Sequence, residues 1–180
     1  MVSNLIQSNS SEGVDAAQGS GQQFLKLQLY PETKAMLPIS QITEVLKIQF
    51  GQIVPIPQMP TWVMGVYNWR GEILWMVDLG HLVGLDTWYQ HQVHGANYTT
   101  IVLSPYRDQA DHVQSNLGLV VAQVEDLETC TPSAIQSTLG STISARLDKF
   151  LQGYYLKPDG EIILALKAQA IAAAMPSHPS

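Results

Sequence analysis

Short runs of alternating apolar and polar residues constrain the fold of this chain more than any other feature of its sequence. Leu25, Leu27 and Leu29 alternate with polar residues at the period of a half-buried strand. Residues 153–156 and 161–166 read as a hairpin across a Lys-Pro-Asp-Gly turn. About eight or nine such runs predict an all-β fold, a sandwich or barrels, because strands do not alternate with long helices.

The segment 65–79 shows this pattern most clearly. Residues 66–69 and 72–77 read as two strands around a tight turn, in which Gly71 takes a positive φ. Further strands are predicted at residues 34–37, 98–103, 117–121 and 123–129. The fold is therefore mainly β.

Helical and extended segments are predicted to be short. Three prolines keep residues 53–60 extended, and residues 39–46 indicate a short element rather than a long helix. Short helices or single turns are predicted at residues 61–64, 79–83, 144–151 and 168–175. The Ser-, Gln- and Gly-rich residues 1–22 read as a flexible tail and residues 176–180 as a second tail, so residues 23–175 form the folded domain.

Charge and cysteine content exclude several classes of function. The chain has 9 Lys and Arg against 15 Asp and Glu, a net charge of -6, whereas nucleic-acid binders cluster basic residues. Cys130 is the only cysteine, which leaves no internal disulfide and fits a reducing compartment. The sequence has neither a run of about 18 apolar residues that could span a bilayer nor a secretory signal at its start. We therefore expect a cytoplasmic protein that neither inserts into membranes nor binds nucleic acid.

The surface of this protein is expected to be short of charge. Only 13% of the residues are charged, about half of the ~25% found in ordinary soluble domains. Such a surface exposes amide, hydroxyl or apolar groups instead. Exposed apolar patches usually mark partner sites.

Residues that could form a catalytic or cofactor site are sparse. His91 and His94 have the spacing of metal ligands, but they stand in a polar loop, where solvated side chains are the commoner outcome. No glycine-rich phosphate loop occurs. We expect no enzymatic activity, no metal and no cofactor. A small metal-dependent hydrolase that uses the two histidines is the alternative from another class, and a ligand-sensing barrel is a third.

Arg70 stands among apolar residues, where a long charged side chain must reach water or find a partner. Its planar donor fork suits a carboxylate or the backbone carbonyls of another protein. An intramolecular salt bridge to Glu72 or Glu44 is the alternative, and the residues by themselves favour it.

Residues 65–79, GVYNWRGEILWMVDL, resemble the signature of the CheW family, the adaptors of bacterial chemotaxis arrays. Residues 39–46 resemble the family's segment between its second and third strands, and residues 54–60 resemble the approach to the signature. Residues 118–124 and 153–166 resemble its two later strand pairs. The resemblance covers residues 22–175 and is specific at the signature.

This resemblance implies two small five-stranded β-barrels packed on a shared hydrophobic core, without a catalytic site. CheW-like proteins join the regulatory domain of the histidine kinase CheA to the cytoplasmic tip of a chemoreceptor. At matching positions, the family's receptor-binding residues correspond to Ile42, Glu44, Gly65 and Arg70. For Arg70, the resemblance favours a contact with a partner, or ordering of the groove where that contact forms.

Within the signature, Asn68 and Trp75 complete the set of candidate partner-binding residues. Trp75 stands where the family usually has Pro, Ala122 where an Asp commonly follows Val, and Ala165 where the last strand often carries Asp. The tryptophan-rich signature is more similar to CheW-like proteins of cyanobacterial phototaxis and type IV pilus systems.

The expected function is that of an adaptor that joins a CheA-type histidine kinase to a chemoreceptor or photoreceptor, recruited to membrane-associated receptor arrays. The alternative among binding proteins is a module that binds a response regulator or a pilus-linked regulator.

Overall fold

The computed structural model of the chain describes residues 21–87, 97–104, 116–137 and 143–176. The predicted tails, apart from residues 21, 22 and 176, lie outside the described residues, and so do His91 and His94. In the described part the chain forms short strands joined by turns and by a few short helices.

The strands are longer and more numerous than the sequence predicts. They are β1 (Gln22–Leu29), β2 (Thr33–Pro38), β3 (Ile42–Gln49), β4 (Val63–Trp69), β5 (Glu72–Asp78), β6 (Asn97–Leu103), β7 (Asn116–Val121), β8 (Gln123–Cys130), β9 (Ile135–Gln136), β10 (Leu151–Leu156) and β11 (Ile162–Leu166). The α-helices are α1 (Leu79–Leu82), α2 (Ala145–Asp148) and α3 (Ala168–Ala173), and single 3₁₀ turns span Ile39–Gln41, Phe50–Gln52 and Pro132–Ala134.

Two sheets make up the architecture. The six-stranded sheet has the order β8-β1-β2-β11-β10-β9 and the five-stranded sheet the order β3-β6-β7-β5-β4. Most neighbours are antiparallel, but β2 with β11 and β5 with β7 pair in parallel. The predicted mainly β fold on a shared core is confirmed. In detail, the described strands form open sheets of six and five strands rather than two closed five-stranded barrels.

Each sheet has one face on a shared core and the other on a small cluster of its own. Leu25, Leu27 and Leu29 point into the shared core, as their alternation predicts, where they meet Leu119 and Val121 of the other sheet. The inner cluster of the five-stranded sheet contains Ile48, Ile53, Leu74, Met76, Tyr98, Val102 and Val120. The inner cluster of the six-stranded sheet contains Phe24, Met36, Cys130, Ile163 and Ala165.

Several local predictions are confirmed. The predicted turn at Gly71 has a φ of 87°, and Gly84 follows α1 with a φ of 93°. Asp78 caps α1, because its Oδ1 accepts a hydrogen bond from the backbone N–H of His81 at 3.1 Å.

Other local predictions are wrong in type or extent. Residues 61 and 62 form a hydrogen-bonded turn, in which the backbone N–H of Val63 donates to the carbonyl of Pro60 at 2.9 Å. The turn does not extend to residue 64, because β4 begins at Val63 and the backbone N–H of Asp78 donates to the carbonyl of Trp62 at 2.9 Å. Residues 39–46 continue into the eight-residue strand β3. The helix predicted at residues 144–151 spans only Ala145–Asp148, since Leu151 already begins β10.

Candidate protein-binding surface

The turn between β4 and β5 places Arg70 at the tip of a hairpin. Arg70 and Gly71 both have positive φ, 55° and 87°, which is the backbone of a type I′ hairpin turn. Asn68 stabilises this turn, because its Oδ1 accepts a hydrogen bond from the backbone N–H of Gly71 at 2.9 Å. The side chain of Arg70 is 68% exposed.

Glu44 connects the two outer strands of the five-stranded sheet. Although β3 and β4 are the first and last strands of the order, Oε1 of Glu44 accepts a hydrogen bond from the indole N–H of Trp69 at 2.6 Å. The other carboxylate oxygen, Oε2, lies 2.9 Å from Nη2 of Arg70. The guanidinium carbon of Arg70 lies 5.2 Å from the centre of the Trp69 ring, within cation–π distance.

The intramolecular salt bridge of Arg70 is therefore present, and its partner is Glu44. Glu72, the other carboxylate considered, accepts a hydrogen bond from the side-chain amide of Asn116 at 2.6 Å instead. The structure thus brings two of the candidate residues, Glu44 and Arg70, into direct contact through their side chains.

Ile42 and Trp75 lie on the opposite face of the same sheet, where both pack against the shared core. In the strand register, Ile42 stands beside Leu103, and Trp75 stands between Leu117 and Val66. Val102 of β6 pairs with Gly118 of the antiparallel strand β7. The next pair in this register is Leu103 with Leu117, so the row continues from β6 to β7. A single row of apolar residues therefore crosses the sheet.

The face of the sheet that carries this apolar row also has two exposed apolar side chains. Val66 forms an isolated bridge with Val54, which extends the row to a residue that is 60% exposed. Ile73, two positions before Trp75 on the same face of β5, is 62% exposed. We use the name apolar row for Ile42, Leu103, Leu117, Trp75, Val66 and Val54.

Gly65 is buried and acts on the backbone rather than through a side chain. Its φ is 140°, and an added Cβ would lie 2.2 Å from the carbonyl oxygen of Val54. The register of β4 against β5 shifts at this point, between Val63 and Gly65, as in a β-bulge. Glycine therefore permits the close approach of Val54 and its bridge to Val66, with hydrogen bonds of 2.8 and 2.9 Å.

Two residues of this surface were not singled out by sequence reasoning. Val54 belongs to a segment predicted only as extended, and its exposure became evident with its bridge to β4. Ile73 lies within the signature, but the alternation along β5 does not show where the shared core ends. The apolar run of residues 53–57 was the one available signal for Val54.

The described residues also bear on the metal and membrane predictions. Within the described ranges, no three His, Cys, Asp or Glu side chains are placed to hold a metal ion together. No helix in that part of the chain has the length and apolar content needed to cross a membrane.

Comparisons with known proteins agree with this architecture. The sequence profile of the CheW-like domain matches residues 23–175. Among solved structures, the scaffolding protein TtCheW from Thermoanaerobacter tengcongensis is similar at a TM-score of 0.63 and 22% identity, over 82% of this chain and 89% of that chain. No match is found among curated proteins. Because the family profile covers most of its length, this chain belongs to the CheW-like domain family.

Proposed function

We propose that this protein is an adaptor that couples a CheA-type histidine kinase to the cytoplasmic tip of a chemoreceptor or photoreceptor. CheW-like proteins are noncatalytic scaffolds of chemotaxis signalling, and this chain shares that general role. The observation that carries this proposal is the exposed apolar surface at Val54 and Ile73, on the same five-stranded sheet that carries the Glu44–Arg70 pair.

The exposed end of the apolar row at Val54, together with Ile73 on the same face, has the properties of a partner site. Val54 and Ile73 are 60% and 62% exposed, although the residues beside them on the same face continue into the shared core. Exposed apolar surface that adjoins a core is typical of protein-binding sites. A receptor tip is a coiled coil of amphipathic helices, and an amphipathic helix binds by laying its apolar face against such a surface.

The Glu44–Arg70 pair suits recognition better than stabilisation. Exposed ion pairs contribute about 0–1 kcal/mol to stability, so the pair is not needed for folding. A guanidinium has five N–H donors, and only Nη2 bonds to Glu44 in the described contacts. Arg70 can therefore hold Glu44 and a carboxylate or carbonyl of the partner at the same time.

Gly65 and Asn68 contribute to this site indirectly. Gly65 fixes the position of Val54 at the end of the apolar row, and Asn68 fixes the turn that carries Arg70. We propose that both affect binding through the shape of the site, whereas Ile42 and Trp75 contact the partner through their side chains.

The proposal extends to the type of signalling system. Trp75 presents a large aromatic side chain at the centre of the apolar row, where the family usually has Pro, which supports a specialised receptor of a phototaxis or type IV pilus system. We further propose that the protein works in the cytoplasm, at receptor arrays. Imaging of a fluorescent fusion tests this: clusters that disperse when the receptors are deleted support it, and clusters that persist contradict it.

A binding experiment tests the proposed coupling. The purified protein is mixed at micromolar concentration with the regulatory domain of a CheA-type kinase and with receptor tip fragments from the same genome. Binding to both, and a ternary complex, is the expected result. Binding to neither contradicts the proposal, and binding to a response regulator alone supports the alternative adaptor role.

A further inference from the structure

A β-bulge in the six-stranded sheet places two acidic residues opposite one buried lysine. Leu25 pairs with Leu127 and Leu27 with Val124, so the single residue Lys26 faces the two residues 125 and 126 of β8. Nζ of Lys26 lies 3.2 Å from a carboxylate oxygen of Glu125 and 3.4 Å from one of Asp126. Lys26 is only 7% exposed. The bulge therefore builds a charged pocket around this ammonium group.

The ion pairs continue from this pocket to the turn between β10 and β11. Lys26 also lies 3.4 Å from Glu161, which lies 3.4 Å from Lys157. Lys157 in turn lies 3.5 Å from Glu128 of β8. Because β8 and β10 are the first and fifth strands of the sheet, these contacts join parts of the sheet that no described backbone pairing connects.

The charged residues lie next to the inner cluster of the six-stranded sheet. By strand alternation, Lys26 shares its face of β1 with Phe24, and Glu128 shares its face of β8 with Cys130. Phe24 and Cys130 both belong to that inner cluster, and Cys130 is buried. The ion pairs thus cover one side of the apolar cluster that contains the only thiol of the chain.

We propose that these ion pairs form a clasp that keeps the six-stranded sheet curled over its inner cluster, and that the clasp opens locally, exposing Cys130, without global unfolding. The clasp comprises Lys26, Lys34, Glu125, Asp126, Glu128, Lys157, Asp159 and Glu161. A buried charge that loses its partner is costly, so removal of one cation weakens the remaining contacts. This inference does not depend on the proposed adaptor function.

The ionisation of the clasp residues supports this role. Burial acts to lower the pKa of Lys26, but the hydrogen bond to Glu125 and the charges of Glu161, Asp126 and Glu125 raise it above 10.5. Burial acts to raise the pKa of Glu125, but its hydrogen bonds to Lys34 and Lys26 lower it below 4.5. The contribution of Lys26 is thus complete below pH 10.5, and that of Glu125 is complete above pH 4.5.

Cys130 offers a direct readout of clasp opening. The aromatic disulfide DTNB reacts with an exposed thiolate, which forms a mixed disulfide and releases one coloured thiolate per protein. The labelling rate is measured at a fixed, mildly alkaline pH for the wild type and for Lys157→Met and Lys26→Met. Lys47→Met is the matched control, because Lys47 lies on the five-stranded sheet, where Nζ donates to Thr99 Oγ1 at 2.5 Å.

We expect Lys157→Met and Lys26→Met to speed labelling by about tenfold or more, the factor that corresponds to ~1.4 kcal/mol. Lys47→Met labels at the wild-type rate. In low urea concentrations the labelling rates of the clasp variants change little, because a local opening exposes little surface. Lys157→Met keeps the test decisive if Lys26→Met does not fold, since Lys157 lies nearer the surface.

Two results would overturn the clasp. The first is unchanged labelling in Lys157→Met when the variant is folded. The second is a labelling rate that, in the wild type and in both lysine variants, depends on urea concentration as steeply as global unfolding does. Cys130 would then be exposed only when the whole domain unfolds.

Discussion

The two sheets of this protein are held in their curled form by different chemistry. In the five-stranded sheet, Glu44 accepts a hydrogen bond from Trp69 at 2.6 Å, and Val54 pairs with Val66. In the six-stranded sheet, ion pairs such as Lys157 with Glu128 make the corresponding link. Only the five-stranded sheet also carries the apolar row and Arg70. Hydrogen bonds and backbone pairing thus link the strands of the five-stranded sheet, where the proposed binding surface lies, whereas ion pairs link those of the six-stranded sheet.

Among the substitutions proposed here, the one at Gly65 should destabilise the five-stranded sheet most. In Gly65→Ala the new Cβ would lie 2.2 Å from the carbonyl oxygen of Val54, at a φ of 140° that side chains rarely adopt. We expect a loss of about 3–5 kcal/mol in the free energy of unfolding, measured by urea denaturation.

Gly51→Ala is the control, because nothing lies within 4 Å of the position of its Cβ. We expect it to change stability by less than about 0.5 kcal/mol. Equal stability of the two variants would show that the Val54–Val66 bridge does not need the glycine.

The closure of the six-stranded sheet should depend on Lys26 and on pH. Lys26→Met leaves Glu125, Asp126 and Glu161 without this cation, and we expect a loss of about 1–3 kcal/mol near neutral pH. Because the native pKa of Glu125 is lowered, its contribution is lost as the pH falls below 4.5. Urea denaturation at several pH values should show that the gap between the wild type and Lys26→Met narrows in acid. A gap that is independent of pH would contradict the ionic origin of this closure.

Substitution of Glu44 should lower the free energy of unfolding by less than substitution of Lys26. Glu44→Ala removes the acceptor of the Trp69 indole and the partner of Arg70, and we expect a loss of about 1–2 kcal/mol. Glu44→Gln keeps an acceptor for Trp69 and removes the charge, so its loss should be smaller. Urea denaturation followed by tryptophan fluorescence measures both. Equal losses in Glu44→Gln and Glu44→Ala would show that the charge, which both variants lack, matters more than the hydrogen bond to Trp69.

Arg70→Ala should have the smallest effect on stability and a clear effect on binding. The guanidinium is 68% exposed, so we expect a loss of less than about 1 kcal/mol in stability. If the proposed function is correct, binding to the receptor tip weakens. A variant that melts far below the wild type would assign Arg70 a structural role.

The sequence predicts the features of this fold that depend on neighbouring residues. The turn at Gly71 and the helix from Leu79 to Leu82 both follow from local turn and capping signals. Thr61 is a reasonable helix cap in isolation, but the hydrogen bond between Asp78 and Trp62 incorporates its neighbours into the sheet. Long-range pairing overrides local preference at this position.

The sequence does not predict the contacts between distant residues that hold each sheet in its curled form. Glu44 was recognised as a possible partner of Arg70, but its contact with Trp69 depends on how the first and last strands of a curled sheet approach each other. The environment of Lys26 depends on a register shift between β1 and β8, which no pattern in the sequence predicts. Alternation showed correctly that Lys26 points away from the shared core, but not that it is buried.

A comparison of one exposed apolar residue on each sheet tests the proposed binding surface most directly. Ile73 on the five-stranded sheet and Leu127 on the six-stranded sheet are 62% and 53% exposed, so substitution of either should leave the fold intact. Binding of a receptor tip fragment to Ile73→Ser and Leu127→Ser is measured by calorimetry against the wild type. We expect about tenfold weaker binding for Ile73→Ser and unchanged binding for Leu127→Ser. Unchanged binding for Ile73→Ser, or equal weakening in both variants, would contradict the proposed binding surface.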